Sequence, residues 1–141
     1  MTITWNFLIS FQGQESLRHH FPHPRTPACQ ERYDNHRRRI EEKEQENGHH
    51  YHNYVYDKLF RKGPVPFVCL PNDFPYQTES GVYHYMLWIN PHLSNFRNPD
   101  RIKEILRYYK WEYAFSDYCY FSNYFTDQTV DIPHFHVFFR E

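Results

Sequence analysis

The sequence predicts an α+β fold: an antiparallel sheet of four to five strands carrying an N-terminal helical segment. Three observations predict it. Charged, helix-forming residues crowd positions 27–47. Beyond residue 63 the texture changes to short aromatic and β-branched runs broken by proline-containing turns. One amphipathic stripe, Ile102, Ile105, Leu106 and Tyr109, interrupts those runs at helical spacing. Paired strands separated by a single helix imply a largely antiparallel sheet. A chain of 141 residues is long enough for one core, so a single domain is expected over 1–141, helical over 1–62 and sheet-bearing over 63–141.

In chain order, Trp5, Leu8, Ile9 and Phe11 recur at helical spacing until Gly13 interrupts them, which predicts a short N-terminal helix. Pro22, Pro24 and Pro27 send 21–27 across the surface as an extended loop. A solvated helix follows from Pro27, with Arg37 to Glu41 and Arg38 to Glu42 at i,i+4 spacing, and Asn47-Gly48 ends it. His49, His50 and His52 read as an exposed turn before more helix around Tyr54, Tyr56, Leu59 and Phe60. Strands are expected over 64–70 and 82–90, joined by a turn-rich loop over 71–80. The helix at 100–111 precedes two further strands, 115–123 and 133–139.

Composition bounds the function. Aromatic residues make up 21% and the hydrophobic total is 40%, so the core is built from Phe, Tyr and Trp more than from aliphatics. A formal charge of −1 offers no general attraction to nucleic acid, and a nucleic-acid role is not favoured. Cys29, Cys69 and Cys119 are odd in number and lack metal-ligand spacing, which fits a reducing compartment. No apolar run approaches a membrane span, and the start of the chain lacks the marks of a secretory signal. The expectation is cytoplasmic, with no membrane partner.

The chemistry-bearing pattern lies at the C-terminal end. Alternate strand side chains share a face, so His134 and His136 project together while Phe135 and Val137 project oppositely. Asn123, Gln128 and Thr129 precede them and supply two amides and a hydroxyl, a set suited to phosphate oxygens. Asn72-Asp-Phe-Pro75 is compatible with turn chemistry alone, since Asn and Asp bond their own backbone and Pro stiffens the loop. His84, between Tyr83 and Tyr85, reads most plainly as a hydrogen-bonded structural histidine. Trp88, Tyr108, Tyr109 and Trp111 read as core and rim, and Phe67 or Phe74 would wall a base if one bound. Arg25, in the proline-fixed loop, is a candidate anion contact or an exposed basic residue. A metal is the rival chemistry, with His134 and His136 joined by His84 or the 49–52 cluster, but no carboxylate is marked by spacing. No metal and no cofactor are assigned.

Residues 65–140 resemble a reduced histidine-triad (HIT) domain, on Asn72-Asp-Phe-Pro75, His84 on the return strand, the single helix, Asn123, Gln128-Thr-Val130 and His134-Phe-His136. The whole chain also resembles an uncharacterised group that includes the fungal N-acetylglucosamine-induced protein 1, on Trp5, Arg25-Thr-Pro27, Tyr33, the turn through Tyr76, His84 and the closing His-Phe-His. The triad resemblance implies His134 as nucleophile at phosphorus and His136 as its supporting imidazole. It implies Asn123, Gln128 and Thr129 at the phosphate and Asn72 at a ribose. Ile132 stands where the first triad histidine belongs, so the site is degenerate. The expected function is binding of a nucleotide or phosphorylated sugar conjugate, with hydrolysis or transfer at phosphorus if catalysis survives. The alternative is a non-enzymatic interaction or assembly protein. A homodimer or other assembly partners stay open.

Overall fold

β4 (His134–Arg140) lies inside the sheet, although it is the last element of the chain. The computed structural model describes residues 2–11, 21–47, 57–60, 65–90, 98–122 and 133–141. Four antiparallel strands stand in the order β1-β2-β4-β3, with β1 at Phe67–Pro71, β2 at Val82–Ile89 and β3 at Asp117–Ser122. The expected α+β class and antiparallel sheet are both present. The strand over 64–70 begins later than expected and continues through Pro71, which an edge strand tolerates because it needs only one hydrogen-bonded neighbour.

α1 (Trp5–Ser10) begins at Thr4, whose Oγ1 accepts from the Phe7 N–H at 3.3 Å. α2 (Pro27–Asn47) is capped by Thr26, whose Oγ1 accepts from the Cys29 N–H at 3.2 Å, with Pro27 in the first helical position. α3 (Pro99–Glu112) repeats that device: Asn98 Oδ1 accepts from the Asp100 N–H at 3.0 Å and Pro99 follows the cap. Its end is a Schellman motif, in which Phe115 N–H donates to the Lys110 carbonyl at 2.9 Å and Ala114 N–H to the Trp111 carbonyl at 3.1 Å. The motif needs a left-handed residue, and here Ala114 adopts it, at φ 58°.

Both faces of the sheet are covered. On one, Ile102, Ile105 and Leu106 of α3 pack on Cys69, Leu87, Ile89, Phe135, Val137 and Phe139. Each such buried side chain contributes about 1.5–3 kcal/mol relative to exposure. On the other, Ile3, Trp5, Leu8, Phe21 and Tyr76 cover Val82, Cys119, Phe121 and Phe138. That second cover is held by the backbone of the β1–β2 loop. Ile3 N–H donates to Gln77 and Gln77 N–H to Pro24, at 2.8 and 2.7 Å, while Glu79 N–H donates to Ile3 at 3.0 Å. Glu79 Oε1 also accepts from the Trp5 N–H at 3.0 Å. A central strand between two covers is buried on alternate and intervening residues alike, and β4 is buried from His134 through Phe139.

Candidate functional site

The alternation read from the sequence holds: Trp88 pairs with His134, Met86 with His136 and His84 with Phe138. His84 and His136 are therefore diagonal neighbours across two strands, on the face covered by the N-terminal residues. That face is not open to solvent. His84, His134 and His136 are 4%, 7% and 5% exposed.

His84 Nε2 lies 2.8 Å from His136 Nδ1, and the Tyr76 N–H donates to His84 Nδ1 at 3.0 Å. These contacts assign every proton in the pair. A backbone N–H can only donate, so His84 Nδ1 carries no hydrogen and Nε2 must carry it. His84 Nε2–H then donates to His136 Nδ1, which leaves the His136 proton on Nε2. Both rings are neutral in this arrangement. Burial pushes the His84 pKa well below the usual histidine range, and the nearby Arg25 guanidinium lowers it further.

Aromatic rings enclose the pair. His84 stacks on Phe138 with centroids 4.5 Å apart and planes 10° from parallel. Tyr76 stacks on His136 at 5.2 Å and lies against His84 at 4.4 Å. His134 packs on Trp88 at 4.7 Å, and its ring is 6.3 Å from that of His136.

Arg25 joins this cluster through Tyr76. Its guanidinium carbon is 5.0 Å from the Tyr76 ring centre and 4.3 Å from that of Tyr33, and Nε donates to the Phe74 carbonyl at 2.7 Å. Arg25 is thus half-buried between two tyrosines, neither a plain exposed residue nor distant from the histidines. Asn72 makes the Asx turn that its type suggested, Oδ1 accepting from the Phe74 N–H at 2.8 Å. The rest of that loop docks on α2. Phe74 meets Tyr33 and His36, and the Cys29 thiol donates to the Pro75 carbonyl at 3.6 Å. Asn123, Gln128 and Thr129 lie outside the described residues, as do His49, His50 and His52.

Phe67 cannot wall a ligand beside these histidines, because it packs with Tyr109 on the α3 face. Among the described residues, no group of three or more His, Cys, Asp or Glu is placed to hold a metal ion. Cys69 and Cys119 are free thiols pushed up to about 12 by burial, so neither is an activated nucleophile. No described helix is long and apolar enough to cross a membrane. Sequence reasoning missed Tyr76 and Phe138 as ring partners of the histidines. Their aromatic character was visible, but contact depends on β4 entering beside β2, a pairing that no local pattern encodes.

No curated protein matches the chain. Among solved structures, one described as the crystal structure of HTC1 superposes with a TM-score of 0.61 at 20% identity, covering 99% of this chain and 85% of that one. That likeness is one of fold. The family model described as a protein of unknown function (DUF3605) matches residues 5–140, and the chain belongs to that family.

Proposed function

We propose that the protein binds a phosphate-bearing small molecule, a nucleotide or a phosphorylated sugar conjugate, on the histidine face of its sheet, with His134 as nucleophile for hydrolysis or transfer at phosphorus. The observation that carries this reading is the proton assignment running from the Tyr76 N–H through His84 to His136. A histidine site acting at phosphorus needs imidazoles that are neutral and held in one tautomer. Here His84 orients His136, the supporting imidazole of the proposed site, through the 2.8 Å contact between them. Attack by His134 would form a P–N bond as the P–O bond to the leaving group breaks, and water or an acceptor would then release the phosphoryl group. The three free thiols support a reducing, cytoplasmic setting.

A second reading draws on the burial of these same rings. With His134 and His136 enclosed, the chain serves as a non-enzymatic interaction or assembly protein that keeps the fold without the reaction. The two readings separate on incubation of the wild type and His134→Ala with nucleotides, dinucleotides and nucleotide sugars. Turnover, or a thermal shift, that disappears in His134→Ala is expected under the first. Absence of both in the wild type leaves the assembly role.

A further inference from the structure

We infer that Arg25 is an oxyanion seat, built to hold a terminal phosphate group on the covered side of the sheet; this rests on the phosphate-ligand reading and specifies where the charge is met. Three features of the residue carry the inference. Its guanidinium carbon lies over the rings of both Tyr33 and Tyr76, at 4.3 and 5.0 Å, two cation–π contacts that restrict where the group can sit. Its Nε is committed to the Phe74 carbonyl at 2.7 Å, which restricts its rotation. No described carboxylate pairs with it, although Glu41, Glu104 and Asp73 each neutralise another cation.

A half-buried cation with no counter-ion among the described residues costs solvation, and a guanidinium held by these contacts is complementary to a planar pair of oxyanion oxygens. The two Nη groups form the edge left for a bidentate contact. Preorganisation of this kind lowers the ordering cost of binding. Tyr76 places the seat one ring away from His136, since the same tyrosine faces the guanidinium and stacks on the imidazole. A ligand whose phosphate rests on Arg25 is thereby brought to the histidine face. The neighbouring neutral His84 adds no competing charge, and Asp73 of the same loop is paired with Lys58 at 3.1 Å.

The test follows the arginine side-chain NMR resonances of the wild type during titration with inorganic phosphate and with pyrophosphate, using acetate at matched ionic strength as the carboxylate arm. A saturable shift of the Arg25 resonances by phosphate and not by acetate is expected, with pyrophosphate the tighter ligand. Arg25→Lys keeps the charge but loses the fork, and at least about a tenfold loss of phosphate affinity is expected. Silent Arg25 resonances, or an equal response to acetate, overturn the seat, and because this readout uses the wild type it stands even if the variant unfolds. The seat and the site fail separately. In His134→Ala, phosphate still moves Arg25 if the seat is real. A wild type that turns over nucleotide with Arg25 unmoved overturns the seat alone.

Discussion

Aromatic side chains are buried on both faces of the sheet, but the two faces are closed by different chemistry. The α3 face is closed by a single helix whose stripe meets Leu87, Ile89, Val137 and Phe139, and its polar atoms sit at the rim, as where Tyr113 donates to the Cys69 carbonyl at 2.9 Å. The opposite face is closed by pieces: α1, residues 21–26, the β1–β2 loop and α2. It carries His84, His134 and His136 inside. A helix stripe supplies cover without needing any particular polar contact. A cover made of loops leaves backbone N–H groups to satisfy, and His84 satisfies one of them, that of Tyr76. The difference teaches that burial of a histidine on this second face is part of how the loop is held, and that its protonation state is a condition of folding.

The largest expected effect breaks the α3 face. Leu106 is fully buried, and Leu106→Ala should cost about 3–5 kcal/mol through lost transfer energy and the residual cavity. Chemical denaturation should return nearly the same loss at pH 5.5 and pH 8, because no titrating group is removed. A loss that changes strongly with pH would mean that the two faces are energetically coupled.

The second effect belongs to the histidine face and is pH-dependent. His84→Leu fills a similar volume but leaves the Tyr76 N–H and His136 Nδ1 without this partner, for a cost of about 2 kcal/mol at pH 8. In the wild type, His84 has a folded pKa below its unfolded value of about 6.5. The unfolded chain therefore binds a proton that the folded chain refuses. Stability from this group is fully present above about pH 6.5 and is lost as pH falls toward the folded pKa, at up to about 1.4 kcal/mol per pH unit. Urea denaturation between pH 5 and 8 should show that slope in the wild type and a flatter one in His84→Leu. Parallel slopes would show that His84 is not the group refusing the proton.

This contrast also marks what could be read in advance. The α3 face was legible almost residue by residue, because Ile102, Ile105 and Leu106 follow one local period and each is buried. β2 and β4 were legible as strands within a residue or so at either end, and the alternation rightly put His134 and His136 on one face. What sequence could not show was the cover. The burial of those rings depends on Tyr76 and on Ile3 and Trp5 arriving from two separate segments, and on a strand order in which β4 inserts between β2 and β3. His84 was read correctly as a hydrogen-bonded residue, but its partners are 8 and 52 positions away. Arg25 likewise drew notice for its charge, whereas its place between Tyr33 and Tyr76 depends on the loop docking on α2.

The smallest effect sharpens the comparison by being confined to one side. Ala114 holds the left-handed position that ends α3, where a Cβ crowds the following carbonyl at a cost of about 1–2 kcal/mol. Glycine removes that crowding but makes the unfolded chain more flexible, which takes back about 0.5–1 kcal/mol. Ala114→Gly should therefore stabilise the fold by up to about 1.5 kcal/mol, read as a rise in the urea midpoint with an unchanged denaturant slope. Because the strain sits at the end of α3, the gain should be the same at pH 5.5 and pH 8 and should add to the loss in His84→Leu within a few tenths of a kcal/mol. Non-additivity in that pair would mean that the helix end and the histidine cluster share a strained element across the sheet, and the division into independent faces would have to be given up.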